Sequence, residues 1–135
     1  MLNDLFGNVN LLQKGLDAAW ARNEVITNNI ANVDTPDFKS SSVNFETAMK
    51  QALEADDNRF SAKTTREEHY DFSNDSVDNV TPTVVKNTDK AYRSDGNNVD
   101  IDYENVELAK NTLMYDTLVR QVSSEFIRLK TVING

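Results

Sequence analysis

The sequence has no cysteine, which excludes disulfides, thiolate metal sites and thiol nucleophiles while leaving either redox compartment open. Glycine is scarce. Four glycines in 135 residues leave little material for a phosphate-cradling loop, and neither that motif, a G-x-S-x-G elbow nor a His-bearing zinc motif occurs. No apolar run reaches the roughly 18 residues that a membrane-crossing helix needs, so direct membrane insertion is not expected. Positive charge is also short, with 14 Lys and Arg against 22 Asp and Glu and a formal net charge of -8. Such a surface repels a polyanion, which argues against nucleic acid as a partner. The opening "MLNDLFGNVN" carries Asp4 and neither Lys nor Arg, so it lacks the basic start and unbroken apolar stretch of a cleavable secretory signal. Only 39% of the residues are hydrophobic, and any core has to be concentrated in part of the chain.

That concentration lies at the two ends. Near the N-terminus Leu5, Val9, Leu12, Leu16, Ala19, Ile26 and Ile30 recur at alternating four- and three-residue steps, with Asn23 filling the one polar position. Near the C-terminus Leu108, Tyr115, Val119, Val122, Phe126, Leu129 and Ile133 repeat the alternation, with Thr112 as the gap. Both patterns predict long amphipathic helices. Pro36 disfavours helical dihedrals at Thr35, so the first helix is expected to finish near residues 31–34, with Asn32 able to take a left-handed cap. The second helix is expected to start near Asp100 to Asp102, whose short carboxylates can accept the unpaired first-turn amides, supported by Glu104 and Glu107.

Between the helices, from about Ser40 to Asn98, Ser, Thr, Asn and Asp dominate. One short amphipathic helix is expected around residues 44–55 in "VNFETAMKQALEA". Val84 and Val85 read as a strand of a β-hairpin, with Asp95-Gly96 as turn punctuation. The expected fold is therefore all-α: two long terminal helices pair as an antiparallel coiled-coil-like hairpin around a polar, partly disordered middle holding a short helix and a β-hairpin. Residues 1–34 and 99–135 are the coiled-coil helices of one domain, and residues 35–98 form the polar segment.

Two helices with one shared seam make a marginal structure, because a single stripe must offset the entropy of ordering both helices. A plain hairpin serving one chain is compatible with the periodicity, and so is an adaptor gripping one partner helix. The seams, however, lie at the two extremes with a polar insert between them. That layout suits a tubular polymer in which helical pairs pack among copies and inserts face outward.

Groups that could carry chemistry are few. His69, the one histidine, sits in "REEHYD" beside Glu67, Glu68 and Asp71, but no second histidine or cysteine exists to complete a transition-metal shell. "SDGNNVDIDYE" has the composition of a calcium loop, yet placing Gly96 at the sixth loop position puts Ala91 first and Arg93 third, so the pattern fails. The stretch reads better as a turn followed by a helix start. The sequons at Asn74 and Asn79 are chance matches in a tract of that composition. Trp20 reads as a packing anchor and Asn23 as a register-setting polar group or a solvent-facing one. No catalytic, cofactor-binding or metal-binding residue is expected.

The stop of the first helix, "NNIANVDTPDFK", resembles the A-N-x-x-T-P-G-Y signature of bacterial flagellar rod and hook axial proteins, with Ala31, Asn32, Thr35 and Pro36 matching. Asp37 stands where that family usually has Gly, and Phe38 where it has Tyr, keeping the ring without the hydroxyl. The block that begins "DGNNVDIDYENVELAKNTLMYD" is similar to the proximal-rod members of the family at Asn97, Asn98, Val99, Asp100, Leu108, Ala109, Asn111, Tyr115 and Phe126. "VNFETAM", with Val43 and Phe45, also fits. The resemblance covers about the first 55 and last 40 residues. It implies a non-enzymatic structural subunit of the basal-body rod, exported by the flagellar type III apparatus without a cleaved signal peptide and lying in the periplasm. Its partners would be other copies of itself, neighbouring rod proteins, the membrane-ring adaptor and the export apparatus.

Overall fold

A computed structural model of the chain describes residues 2–57, 80–88 and 93–134, with side chains from residue 8 to 53 in the first of these segments. His69, Asn74, Asn79, Ala91 and the side chain of Leu5 lie outside the described residues. The element order is α1 (Leu2–Ala31), β1 (Ser41–Asn44), α2 (Glu46–Asp57), β2 (Thr83–Lys86) and α3 (Ile101–Asn134). Helices dominate, and the two long terminal ones pack on each other.

Their antiparallel course is written in the contacts. Asn29 of α1 meets Glu104 of α3, Ala19 meets Asn111, and Gly15 faces Leu118, so positions fall along one helix as they rise along the other. A Cβ at Gly15 would lie 3.4 Å from a Leu118 methyl. That is an ordinary van der Waals contact, so alanine would fit there and the packing does not require glycine, which is unfavourable inside a helix. Ala18 and Ala19 are both buried, and being adjacent they face different neighbours. The Ala19 carbonyl accepts from α3, whereas Ala18 packs with Phe45 and Met49, joined by Leu11, Val43 and Val80. That small core fastens α2 and the sheet to one side of α1.

The expected short helix is present as α2. Val84 and Val85 form the expected strand, and its antiparallel partner is β1, with Ser41 opposite Lys86 and Asn44 opposite Thr83. The strand partner thus comes from just after the signature turn, far away in sequence. Helix α1 ends at Ala31, where the Asn32 side-chain amide donates to the Asn28 carbonyl at 2.8 Å. Asn32 does not take the left-handed conformation expected of it. Among the described residues, the non-glycine position with positive φ is Asp37, at 58°. Asp100 caps α3 as expected, its Oδ1 accepting from the amides of Asp102 and Tyr103 at 3.0 and 3.2 Å.

Candidate assembly surface and its polar junction

The signature turn is held by the two asparagines that precede α3. Asn97 is fully buried, and its amide nitrogen lies within 3.0 Å of the carbonyls of Asn32, Val33 and Thr35, to which it donates. Its Oδ1 accepts from the Val99 amide at 2.7 Å. Asn98 continues the clasp, accepting from the Ser40 amide at 2.7 Å and donating to the Asn87 carbonyl at 3.2 Å. The amide of Asp37 donates to the Asp95 carbonyl at 2.9 Å, which brings two left-handed residues, Asp37 and Gly96 (φ 81°), against each other. A side chain at Gly96 would collide with the Asp37 carboxylate. Lys39 donates to the Gly96 carbonyl at 2.6 Å and closes the turn.

One helical turn further along, Asn29 acts as a surrogate strand edge. Its Nδ2 donates to the Ser41 carbonyl at 2.8 Å and its Oδ1 accepts from the Ser41 amide at 3.0 Å. The same Nδ2 reaches Glu104 Oε1 at 3.0 Å. Burial pushes the Glu104 carboxyl above the usual glutamate range, helped by the nearby charges of Glu107 and Asp100 and opposed by the Asn29 hydrogen bond. At the start of α2 Glu46 pairs with Arg22 of α1. Partial burial pushes Glu46 up, but amide donors at the start of α2 and the Arg22 guanidinium outweigh it and hold Glu46 below its ordinary value. Asn111 completes the polar series, donating to the Ala19 carbonyl at 2.9 Å with its own Oδ1 buried and unpartnered.

The far half of the helix pair is different in kind. Of the N-terminal stripe, Ala19 and Ile26 are buried, Val9, Leu12, Leu16 and Ile30 are half-buried, and Asn23 is exposed. Of the C-terminal stripe, Leu108, Val122 and Leu129 are half-buried, while Tyr115, Val119, Phe126 and Ile133 are exposed, the last two at 56% and 78%. The covered positions of α3 are Glu104, Glu107, Leu108, Asn111, Leu118, Val122, Glu125 and Leu129. Hence the face of α3 turned to α1 lies beside the apolar stripe, and the stripe itself is left largely open along one flank. Trp20, expected as an anchor, is 67% exposed because Ala18 and Ala19 take the inward positions and the next residue turns out. Among the described residues no cluster of acidic and imidazole groups could hold a metal ion, and no helix is long and apolar enough to cross a membrane.

Several of these residues carry no hydrophobic signal. Asn29, Glu104 and Asn111 do their work at covered helix positions where a hydropathy pattern expects apolar side chains. The available signal was their placement on the helical repeat despite their polarity.

Two antiparallel helices clasped at one end by a proline-marked turn, with an apolar stripe open on the other half, are the features of a helical structural subunit. A family model described as flagella basal body rod protein matches residues 10–39, covering most of α1 and the whole signature. Over nearly its full length the chain is similar to flagellar basal body rod protein FlgB of Bacillus subtilis (strain 168). The two are 40% identical, and the match covers 96% of this chain and 95% of the relative. FlgB of Borreliella burgdorferi is 33% identical with 98% and 99% covered, and FlgB of Aquifex aeolicus is 33% identical with 98% and 97% covered. The chain belongs to this FlgB family of flagellar basal body rod proteins, and it is a structural subunit of the flagellar rod.

Proposed function

We propose that the subunit polymerises through its paired terminal helices, burying the open stripe of Tyr115, Val119, Phe126 and Ile133, with Val9, Leu12, Leu16 and Ile30 beside it, against neighbouring subunits in the proximal rod. The observation that carries this reading is the exposed heptad stripe of α3: a line of large apolar side chains in water is unfavourable for a monomer and favourable at an interface. The signature residues Ala31, Asn32, Thr35, Pro36, Asp37 and Phe38 set the angle at which the chain leaves the helix pair and so orient residues 35–98 relative to the assembled helices. The subunit catalyses no reaction and takes no cofactor; its work is to transmit torque as part of a drive shaft. Its neighbours are other copies, other rod proteins, the membrane-ring adaptor and the export apparatus. Its place is the periplasmic rod, reached by type III export without a cleaved signal peptide.

Replacing Phe126 or Val119 with Asp tests the reading in cells. Motility is expected to be lost while the protein is still made and its monomer retains its helicity. Normal swimming with either variant would contradict it.

A further inference from the structure

A cleft of about 490 Å³ opens between α1, β1 and α3, on the flank of the helix pair that also carries α2. Arg22, Val25, Glu46, Tyr103, Glu104 and Glu107 line it. Its charges are matched with one exception. Arg22 pairs with Glu46, and Glu107 accepts from Lys110 at 2.6 Å. Glu104 is only 6% exposed, with Oε1 engaged by Asn29 and Oε2 without a hydrogen-bond partner among the described residues. That second oxygen is not sealed away, since among the described residues the fully buried unpartnered side-chain atom is on Asn111. A carboxylate so desolvated gains more than an exposed one from a cation brought to its free oxygen. Tyr103, exposed at the rim, offers a ring face along which the stem of a cationic side chain can lie.

Among the described residues that line the cleft the one cation is Arg22, which Glu46 already engages. Lys130 is exposed on the distal part of α3, with no ion-pair or hydrogen-bond partner among the described residues, whereas nearby Arg128 is held by Glu125 at 3.1 Å. Helical spacing sets Lys130 beside Phe126 and Ile133 in the open stripe. At 1.5 Å per residue, Glu104 and Lys130 stand roughly 39 Å apart on one continuous helix, so they cannot meet within a chain.

We propose that the cleft is a socket for Lys130 of a second copy, whose ammonium meets Glu104 while its apolar stripe docks on the flank around it. The inference rests on the proposed assembly through the helix pair. The socket and the stripe occupy different surfaces, so the contact is head-to-tail and leaves one of each unfilled at the two ends of any row, which is the condition for an open polymer.

The absence of cysteine makes the test direct. Full-length Tyr103→Cys and Lys130→Cys are purified separately, mixed and mildly oxidised at concentrations where the wild type self-associates. A disulfide-linked dimer is expected from the mixture, and neither variant alone should link. Lys130→Glu should weaken self-association about tenfold or more, and Glu104→Gln should weaken it less and reduce its salt dependence. Circular dichroism checks that each variant keeps its helices. If the wild type associates but the mixture fails to link, or links equally well when Arg120→Cys replaces Lys130→Cys, the socket is overturned and the assembly reading stands. Linking by Tyr103→Cys alone would mean a symmetric contact and would also overturn it. A wild type that remains monomeric at every concentration would overturn both.

Discussion

The two halves of α3 are built on different chemistry. From Asn97 to Asn111 the segment is bonded to α1 and the signature turn by directional polar contacts, made by Asn97, Asn98, Glu104 and Asn111. Beyond Asn111 the helix carries apolar side chains that grow more open toward its end, from Tyr115 and Val119 at 38% exposed to Phe126 at 56% and Ile133 at 78%. Directional bonds fix one geometry and are costly to leave unmade, so they suit the part that must be identical in every subunit. Apolar contact is non-directional and scales with area, so it suits a surface that meets neighbours. Separating the two lets the chain hold its shape without using up the surface proposed for assembly.

The largest effect is expected from breaking the bonded half. Asn97→Ala leaves three carbonyls and the Val99 amide without their side-chain partner, and urea denaturation should show a loss of roughly 2–4 kcal/mol. Phe126→Ala, on the open half, should change monomer stability by less than about 1 kcal/mol while sharply reducing self-association. Equal losses from the two would erase the contrast.

Gly96→Ala comes next, at about 1–2 kcal/mol, because a left-handed residue acquires a side chain that meets Asp37. Combining it with Asp37→Gly should recover part of that loss in a double-mutant cycle, since the carboxylate it strikes is gone.

Glu104→Gln sharpens the comparison through pH. The folded state raises the Glu104 pKa by burial, so the native protein holds this proton more tightly than the unfolded chain. The site therefore favours folding most below the usual glutamate range, and that advantage is lost as pH rises through the raised folded value. Glutamine, uncharged at every pH and still able to accept from Asn29, should raise the melting temperature at neutral pH and confer progressively less as the pH falls. Smallest of all, Asp37→Gly alone should stabilise by about 0.5 kcal/mol, the relief of a non-glycine φ of 58° offset by added unfolded-state entropy.

Much of the fold was legible because it rests on local rules. Heptad spacing located α1 and α3, Pro36 marked the end of α1, and the carboxylate of Asp100 marked the start of α3. The details that depend on distant pairing were not legible. Nothing local tells Val84 and Val85 that their partner is Ser41–Asn44, because that register is set by β1 being tied to Asn29 and the signature turn. The α1-facing side of α3 was equally hidden. Hydropathy ranks Tyr115, Val119 and Phe126 above Glu104 and Asn111, yet the polar pair lies inward because each finds a partner on α1. Trp20 shows the same limit from the other side. Its size marks an anchor, but α1 approaches its neighbours through small residues, and Ala18, Ala19 and Gly15 take those positions.

Residue-resolved amide hydrogen exchange along α3, in dilute solution and again at concentrations where the protein assembles, tests the division of labour most directly. The amides of residues 101–111 should already be protected in dilute solution, while those of residues 112–134 should be weakly protected there and gain most of their protection on assembly. Full protection along the whole of α3 in the dilute monomer, unchanged on concentration, would contradict it.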